Sequence, residues 1–436
     1  MHGSMSPPGT LVLRRGLERL RTSAMLKQSL LVFSAGMVLN LCGFIAHAVA
    51  SRELGVTAYG GLYALINVAL IAALPAAFIA PVVAQLAAEF RALHDDGHLR
   101  GLTESVADGF TKIGLLYLVV AAFAAIPFAR FLHVPIWSLQ FVGLLAGVSL
   151  YLSALRALAQ GTQDFVGYSV SNSIEGVAKV CGIAALIATG LKLGGGIIGF
   201  FLGPLCALIY LAIRLRRRYA GATSHGIRYD WRRIVNAGAG AAAATMAVAL
   251  MGSSDVVLVK HFFDAHSAGL YAAASLGGKM LLYLVGFIPT VLLPQAADRH
   301  ARGARTREVL IGSLVMFAAV ALCGLFVFRY FGVAVLHALV GREFDAAAPL
   351  LVTYGLAMVL LALTNALTYY GIATHRLAFT VPLAITTLGT LAAIVAMHAT
   401  LTTVVEIMVA GNAVAAMAVA VSLGLQRNTS GRRSTV

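Results

Sequence analysis

Arg52-Glu-Leu-Gly-Val-Thr-Ala-Tyr-Gly-Gly-Leu-Tyr63 and Lys260-His-Phe-Phe-Asp-Ala-His-Ser-Ala-Gly-Leu-Tyr271 are two copies of one pattern. Each copy has a cation closing an apolar run, a short loop, and Gly-Leu-Tyr opening the next run. At an offset of 208, Arg52 falls on Lys260, Gly61 on Gly269, Leu62 on Leu270 and Tyr63 on Tyr271. The same offset carries Pro81 onto Pro289 and Arg91 onto Arg299, so it holds without a gap over about 40 residues. Few residues between these are identical, and the repeat is weak. A chain built from two such halves nevertheless has the layout of a candidate transporter.

The solvent for these halves follows from composition. The 436 residues are 60% hydrophobic and 11% charged, with mean hydropathy +0.88, whereas a soluble protein carries about 25% charged residues. That much apolar sequence needs lipid around it, and a spanning helix needs about 20 apolar residues. Apolar runs of that length lie near 29–51, 62–86, 109–131, 136–158, 167–190 and 194–214, then near 234–258, 268–293, 309–331, 346–370, 377–397 and 403–425. The expected fold is all-α and polytopic, with about 12 transmembrane helices in two six-helix repeats. The expected units are a basic N-terminal segment (1–28), a six-helix bundle (29–214), a basic linker (215–233), a second bundle (234–425) and a tail (426–436).

A net charge of +15 raises the question of nucleic acid. The cations sit in loops between apolar runs, without aromatic interleaving, so membrane topology accounts for them and no nucleic-acid partner is expected. With the N-terminus inside, inner segments hold about 23 cations, including Arg91, Arg156 and the linker arginines, and outer loops hold 6. Both termini are therefore expected in the cytoplasm. Six spans per half make the halves parallel repeats about an axis along the membrane normal. Leu13, Leu17 and Leu20 among Arg14, Arg15, Arg19, Arg21 and Lys27 read as a short basic helix on the anionic inner surface, or as a disordered basic tail.

Covalent chemistry finds little support. Cys42, Cys181, Cys206 and Cys323 lie inside apolar runs with no CxxC or Cys/His spacing, so no disulfide, metal or cofactor is expected. The first apolar run lacks a cleavage site and reads as a span, not a removable signal. All outer loops are short, and Glu343 with Asp345 reads as a loop and helix entry. No catalytic residue is assigned, and an enzyme such as a glycan polymerase or ligase is disfavoured.

The candidate site lies with ionisable residues at membrane depth, where charge is costly and faces a protein interior or a wet cavity by default. Lys179 is near the middle of the fifth run, with Glu175 four residues earlier on the same face. The two form either a closed structural pair or part of a site. Lys279, in the eighth run, has no carboxylate three or four residues away. Asp255 and His47, related by the 208 offset, sit toward the outer ends of the seventh and first runs. Arg52 and Lys260 flank the outer mouth or snorkel to the interface. Asn40, Asn172, Asn365 and Asn412 add uncharged donors and acceptors. Substrate-binding candidates are Lys179, Lys279, Glu175, Asp255, Arg52 and Lys260. Two deep lysines against at most two acids favour an anionic cargo. Gly195, Gly199 and Gly203, four apart, predict close helix packing. Pro75 and Pro81, matched by Pro289 and Pro294, predict bends at equivalent places.

Ser51-Arg-Glu-Leu-Gly-Val-Thr-Ala-Tyr-Gly60, Asp255-Val-Val-Leu-Val259 with Ala268-Gly-Leu-Tyr271, and Gly341-Arg-Glu-Phe-Asp-Ala-Ala-Ala-Pro-Leu350 resemble the polysaccharide transporters and O-antigen flippases (Wzx-like) of the MATE-related exporter superfamily. The resemblance implies a V-shaped pair of bundles around a central cavity that opens alternately inward and outward. It implies a polyprenyl-diphosphate-linked oligosaccharide as cargo, passed to the periplasmic leaflet of the bacterial inner membrane during polysaccharide or lipopolysaccharide biosynthesis. Membrane lipids and other polysaccharide-assembly proteins are the implied partners. A MATE-type cation-coupled drug antiporter is the alternative on the same fold.

Overall fold

The computed structural model describes the backbone of residues 8–224, 231–301, 307–374 and 376–433, and side chains mainly within 30–224, 238–286 and 314–424. Side chains of the basic segment before residue 28, linker residues 225–230 and the side chains of Pro289 and Pro294 lie outside the described residues. The described chain is helical throughout, with no strand. The first half contains α1 (Pro8–Ala72), α2 (Ala76–Ala92), α3 (Asp96–Leu132), α4 (Ile136–Gly161), α5 (Phe165–Leu186) and α6 (Lys192–Arg218). The second contains α7 (Trp231–Met251), α8 (Ser254–Phe262), α9 (Ala265–Ala301), α10 (Arg307–Leu339), α11 (Ala348–Ala373), α12 (Thr380–Ala396) and α13 (Leu401–Arg433).

Among the described residues, 9 stretches are long and apolar enough to cross a membrane. Two of them are double passes. Leu30–Ala72, at 43 residues, breaks at Gly55, whose φ of 71° and ψ of 175° suit only glycine. Phe165–Arg218, at 54 residues, turns at Gly190 (φ 86°). With the shorter apolar helix α12, the passes are about twelve, as the apolar runs predict. The break repeats as well. The 208 offset carries Gly55 onto Phe263, where α8 ends in extended backbone.

Two expected single helices are discontinuous. The second run is interrupted at residues 73–75, before α2, where Pro75 has no N–H to continue the ladder. Pro81 sits inside α2, and α9 stays helical past residues 289 and 294, so the interruption is not repeated in the second half. The seventh run parts at residues 252–253, between α7 and α8. Freed backbone groups at membrane depth are tolerated where they line a cavity, and both interruptions lie along the central cavity described below.

Lipid offers no hydrophobic drive for helices to associate, so close approach must supply the packing. The glycine stripe of α6 does this against α5. A Cβ on Gly199 would sit 2.5 Å from Ile183 Cγ1, and one on Gly203 would sit 2.7 Å from the Glu175 carbonyl oxygen and 3.0 Å from Lys179 Cβ. The two repeat copies also pack directly on one another. A Cβ on Gly60 would meet the Gly269 nitrogen at 2.7 Å. Tyr59, Tyr271, Tyr354 and Phe344 are fully buried around this junction.

Candidate functional site

Between the halves lies a cavity of about 530 Å³. Each contributing helix presents one face to it. Asn40, Phe44 and His47 come from the first pass, Tyr63, Asn67 and Leu74 from the second, Glu175 and Lys179 from α5, Lys279 and Tyr283 from α9, and Asn365 and Tyr369 from α11. The α7–α8 break contributes Gly252 and Ser253. Among the described residues, the charged lining groups are two ammoniums, Lys179 and Lys279, and one carboxylate, Glu175.

Lys279 is 8% exposed. Its Nζ donates to Asn67 Oδ1 at 2.8 Å and lies 5.3 Å from the centre of the Tyr63 ring. The Asn67 amide nitrogen donates to the Tyr63 carbonyl at 2.8 Å, which turns the amide oxygen toward the lysine. Among the described residues, no carboxylate forms an ion pair with Lys279. Its charge is met by an amide dipole and an aromatic face, both from the other half of the chain.

Lys179 is held differently. Its Nζ is 3.2 Å from Glu175 Oε1 and 5.7 Å from the Phe200 ring centre. The other carboxylate oxygen, Glu175 Oε2, is 2.8 Å from Arg156 Nη1, and Arg156 Nε donates to Ser171 Oγ at 3.1 Å. Arg156, counted in the sequence among the inner-surface cations, thus turns into the bundle with 17% of its side chain exposed. Charge counting alone could not find it, because nothing in the spacing links residue 156 to residue 175. Asn67 went unnoticed for a related reason: one amide in an apolar run carries no signal of its own.

Asp255, in the first turn of α8, is fully buried and is not part of the cavity wall. Its Oδ2 accepts from the Tyr271 hydroxyl at 2.8 Å and the Tyr354 hydroxyl at 2.6 Å, while Oδ1 has no hydrogen-bond partner among the described residues. Ser275 Oγ lies 2.9 Å from Tyr354 Oη and 3.4 Å from Tyr63 Oη, so hydroxyls link the carboxylate to the wall. The repeat is legible in this chemistry. His47 packs on Tyr63 with ring centres 5.3 Å apart, and its counterpart Asp255 bonds to the counterpart Tyr271.

Arg52 joins the two halves away from the cavity. Its Nη2 donates to the carbonyls of His337 at 3.0 Å and Ala338 at 2.8 Å, at the end of α10. Ser51 Oγ donates to the Val340 carbonyl at 3.0 Å, and Tyr59 meets Phe344 edge-on at 5.7 Å. His337 pairs with Asp345 in the Gly341–Leu350 segment, where Arg342–Ala347 forms a short turn into α11 with Pro349 in its first turn. Lys260, near the end of α8, is buried. Next to Lys260, His261 Nδ1 lies 2.7 Å from the Phe131 carbonyl. Of the six sequence candidates, then, Lys179, Lys279 and Glu175 share the cavity. Arg52, Lys260 and Asp255 lie toward the end that the cation count assigns to the outside.

Solved structures with this fold include a multidrug resistance MATE family transporter of the MOP superfamily in an inward-facing conformation. It aligns with 93% of this chain and 99% of its own at 13% identity and a TM-score of 0.71. The lipid II flippase MurJ, in an inward closed conformation, aligns with 92% of this chain and 87% of its own at 13% identity and a TM-score of 0.68. A MOP superfamily transporter from Pyrococcus furiosus, described as having a binding pocket of reversed polarity, aligns with 94% of this chain and 95% of its own at 13% identity and a TM-score of 0.52. No curated protein sequence matches the chain. The family model for polysaccharide biosynthesis proteins matches residues 25–300, which contain both repeat copies and all six candidate residues, and the chain belongs to that family.

Proposed function

We propose that the protein is a flippase that carries a polyprenyl-diphosphate-linked oligosaccharide from the cytoplasmic to the periplasmic leaflet, without covalent chemistry. Lys279 carries this reading. A buried ammonium that bonds an amide and faces an aromatic ring, with no ion pair to a carboxylate among the described residues, is a charge awaiting a counter-ion, and a diphosphate supplies one. Lys179 adds a second ammonium to the same cavity, from the other half of the chain. One amide and two tyrosines that also line the cavity, Asn365, Tyr369 and Tyr283, suit sugar hydroxyls and sugar faces. With the cell interior negative, moving an anion outward is favourable by about 2.3 kcal/mol per charge per 100 mV.

In this reading both termini are cytoplasmic, the membrane is the bacterial inner membrane, and Arg52 and Lys260 flank a closed outer mouth. The partners are the lipid-linked oligosaccharide, membrane lipids and other polysaccharide-assembly proteins. Lys179→Ala and Lys279→Ala are each expected to lower translocation of a fluorescent polyprenyl-diphosphate oligosaccharide in proteoliposomes at equal protein content. Full translocation by the double variant would refute the assignment.

One observation favours a second reading, a cation-coupled antiporter on the same fold. The Oδ1 of Asp255 is buried without a hydrogen-bond partner among the described residues, and a proton or sodium ion would satisfy it. Organic-cation efflux from vesicles driven by a sodium or proton gradient, abolished by Asp255→Asn, would favour that reading over the flippase.

A further inference from the structure

Glu175 divides its two oxygens between cations of different mobility. Oε1 faces Lys179 at 3.2 Å, and Oε2 faces Arg156 at 2.8 Å. Lys179 hangs on a flexible stem at the cavity wall. Arg156 stands behind the carboxylate on α4, its planar fork tied by Nε to Ser171 on α5. Its Nη2 is buried with no hydrogen-bond partner among the described residues. A guanidinium that bonds one carboxylate oxygen and keeps a second donor free is matched to take both oxygens side by side.

We propose that Arg156 is a positioning residue: it keeps Glu175 paired while Lys179 leaves the carboxylate for the diphosphate of the cargo. This rests on the anionic-cargo reading and deepens it. If Lys179 were the sole partner of Glu175, its departure would strand a buried carboxylate, a heavily penalised state, and the cargo would have to overcome that penalty. With Arg156 in place, the free Nη2 takes over Oε1 as Lys179 moves, and charge stays balanced throughout. The three side chains carry one surplus positive charge, and the lysine is the member that can present it. Gly203 supports this arrangement. It leaves room for the Lys179 stem, which a Cβ there would meet at 3.0 Å.

The test is binding of farnesyl diphosphate to the purified full-length protein in nanodiscs, with farnesol as the uncharged control. Arg156→Gln leaves Lys179 as the sole partner of Glu175 and is expected to weaken diphosphate binding by roughly tenfold or more. Glu175→Gln frees Lys179 and is expected to bind at least as tightly as the unaltered protein. The double variant Arg156→Gln/Glu175→Gln is expected to recover binding to within about threefold of Glu175→Gln, because no carboxylate remains to hold the lysine. That recovery also shows that loss of Arg156 has not unfolded the protein. Unchanged binding in Arg156→Gln, or a double variant as weak as Arg156→Gln alone, overturns the role of Arg156 and leaves the anionic-cargo reading standing. Failure of the unaltered protein to bind farnesyl diphosphate better than farnesol overturns both.

Discussion

Lys279 meets no carboxylate among the described residues, and its two neutral partners define what substitutions at the site should do. Asn67 supplies the acceptor, so Asn67→Leu removes it and strands a buried ammonium. The expected cost is about 1–3 kcal/mol of stability, read as a lower unfolding midpoint in detergent. Asn67→Asp makes the opposite change. It gives Lys279 a carboxylate of its own, so translocation should fall several-fold while stability is kept or raised. Loss of transport together with stability in both variants would mean that Lys279 serves the fold and not the cargo. Asp255 separates along the same lines. Asp255→Asn keeps an acceptor for the Tyr271 and Tyr354 hydroxyls and should unfold near the unaltered protein. Asp255→Leu strands the Tyr271 hydroxyl and leaves Tyr354 with Ser275, and should cost about 1–3 kcal/mol.

At the scale of elements, what matters is how closely the helices approach and how their ends are tied. The α5–α6 contact depends on Gly195, Gly199 and Gly203, and only Gly203 touches the lysine. Gly203→Ala is therefore expected to reduce translocation by pushing on both the Glu175 carbonyl and the Lys179 stem, at a packing cost of about 1–3 kcal/mol. Gly199→Ala should disturb packing at Ile183 with less effect on cargo affinity, and equal loss of affinity in both variants would count against this division. The loop before α5 makes a second tie. Asp164 accepts from the Gly167 N–H at 3.0 Å and from Arg214 Nε at 2.7 Å, and so joins the start of α5 to the end of α6. Burial raises the Asp164 carboxyl, but Arg214, the Gly167 N–H and Arg218 outweigh it and hold the group below the usual carboxylate range. A lowered folded value means stability that is present above the unfolded carboxyl value and lost as pH falls through the folded one. The unaltered protein should lose stability below about pH 4, and Asp164→Asn should be less stable at neutral pH and flatter across that range in thermal unfolding.

Across the whole molecule, the two repeat copies form the closure at one end. Gly60 and Gly269 bring the backbones together, Arg52 caps the carbonyls ending α10, and Ser51 reaches Val340. In the proposed orientation the cavity lies on the inner side of these contacts, so opening outward would have to break them. A Cβ on Gly269 would run into the Val56 carbonyl oxygen. Gly269→Ala should thus raise the free energy of the closed outer end by about 1–3 kcal/mol and shift the population toward outward-open by roughly five- to hundredfold. Labelling of a cysteine at position 63 with a membrane-impermeant thiol reagent, in a background without the four native cysteines, measures that shift. Unchanged labelling would mean that this junction does not gate the cavity.

The apolar runs, the 208 offset and the glycine spacing were sufficient to read about twelve membrane passes in two related halves, because lipid requires each pass to satisfy its own backbone and to be apolar along its length. Depth and sign of charge likewise pointed to Lys179, Lys279 and Glu175, since an ionisable group in an apolar run needs a polar surrounding somewhere. Which groups provide that surrounding was decided only by the tertiary structure. Arg156 and Asn67 come from other helices, and helical periodicity says which face a residue occupies without saying which helix that face meets. The same holds for Asp255, whose depth resembled that of a cavity residue until Tyr271 and Tyr354 were seen to enclose it. Side-chain chemistry along one helix is local, but a buried charge is balanced across helices, and that balance exists only once the halves have packed.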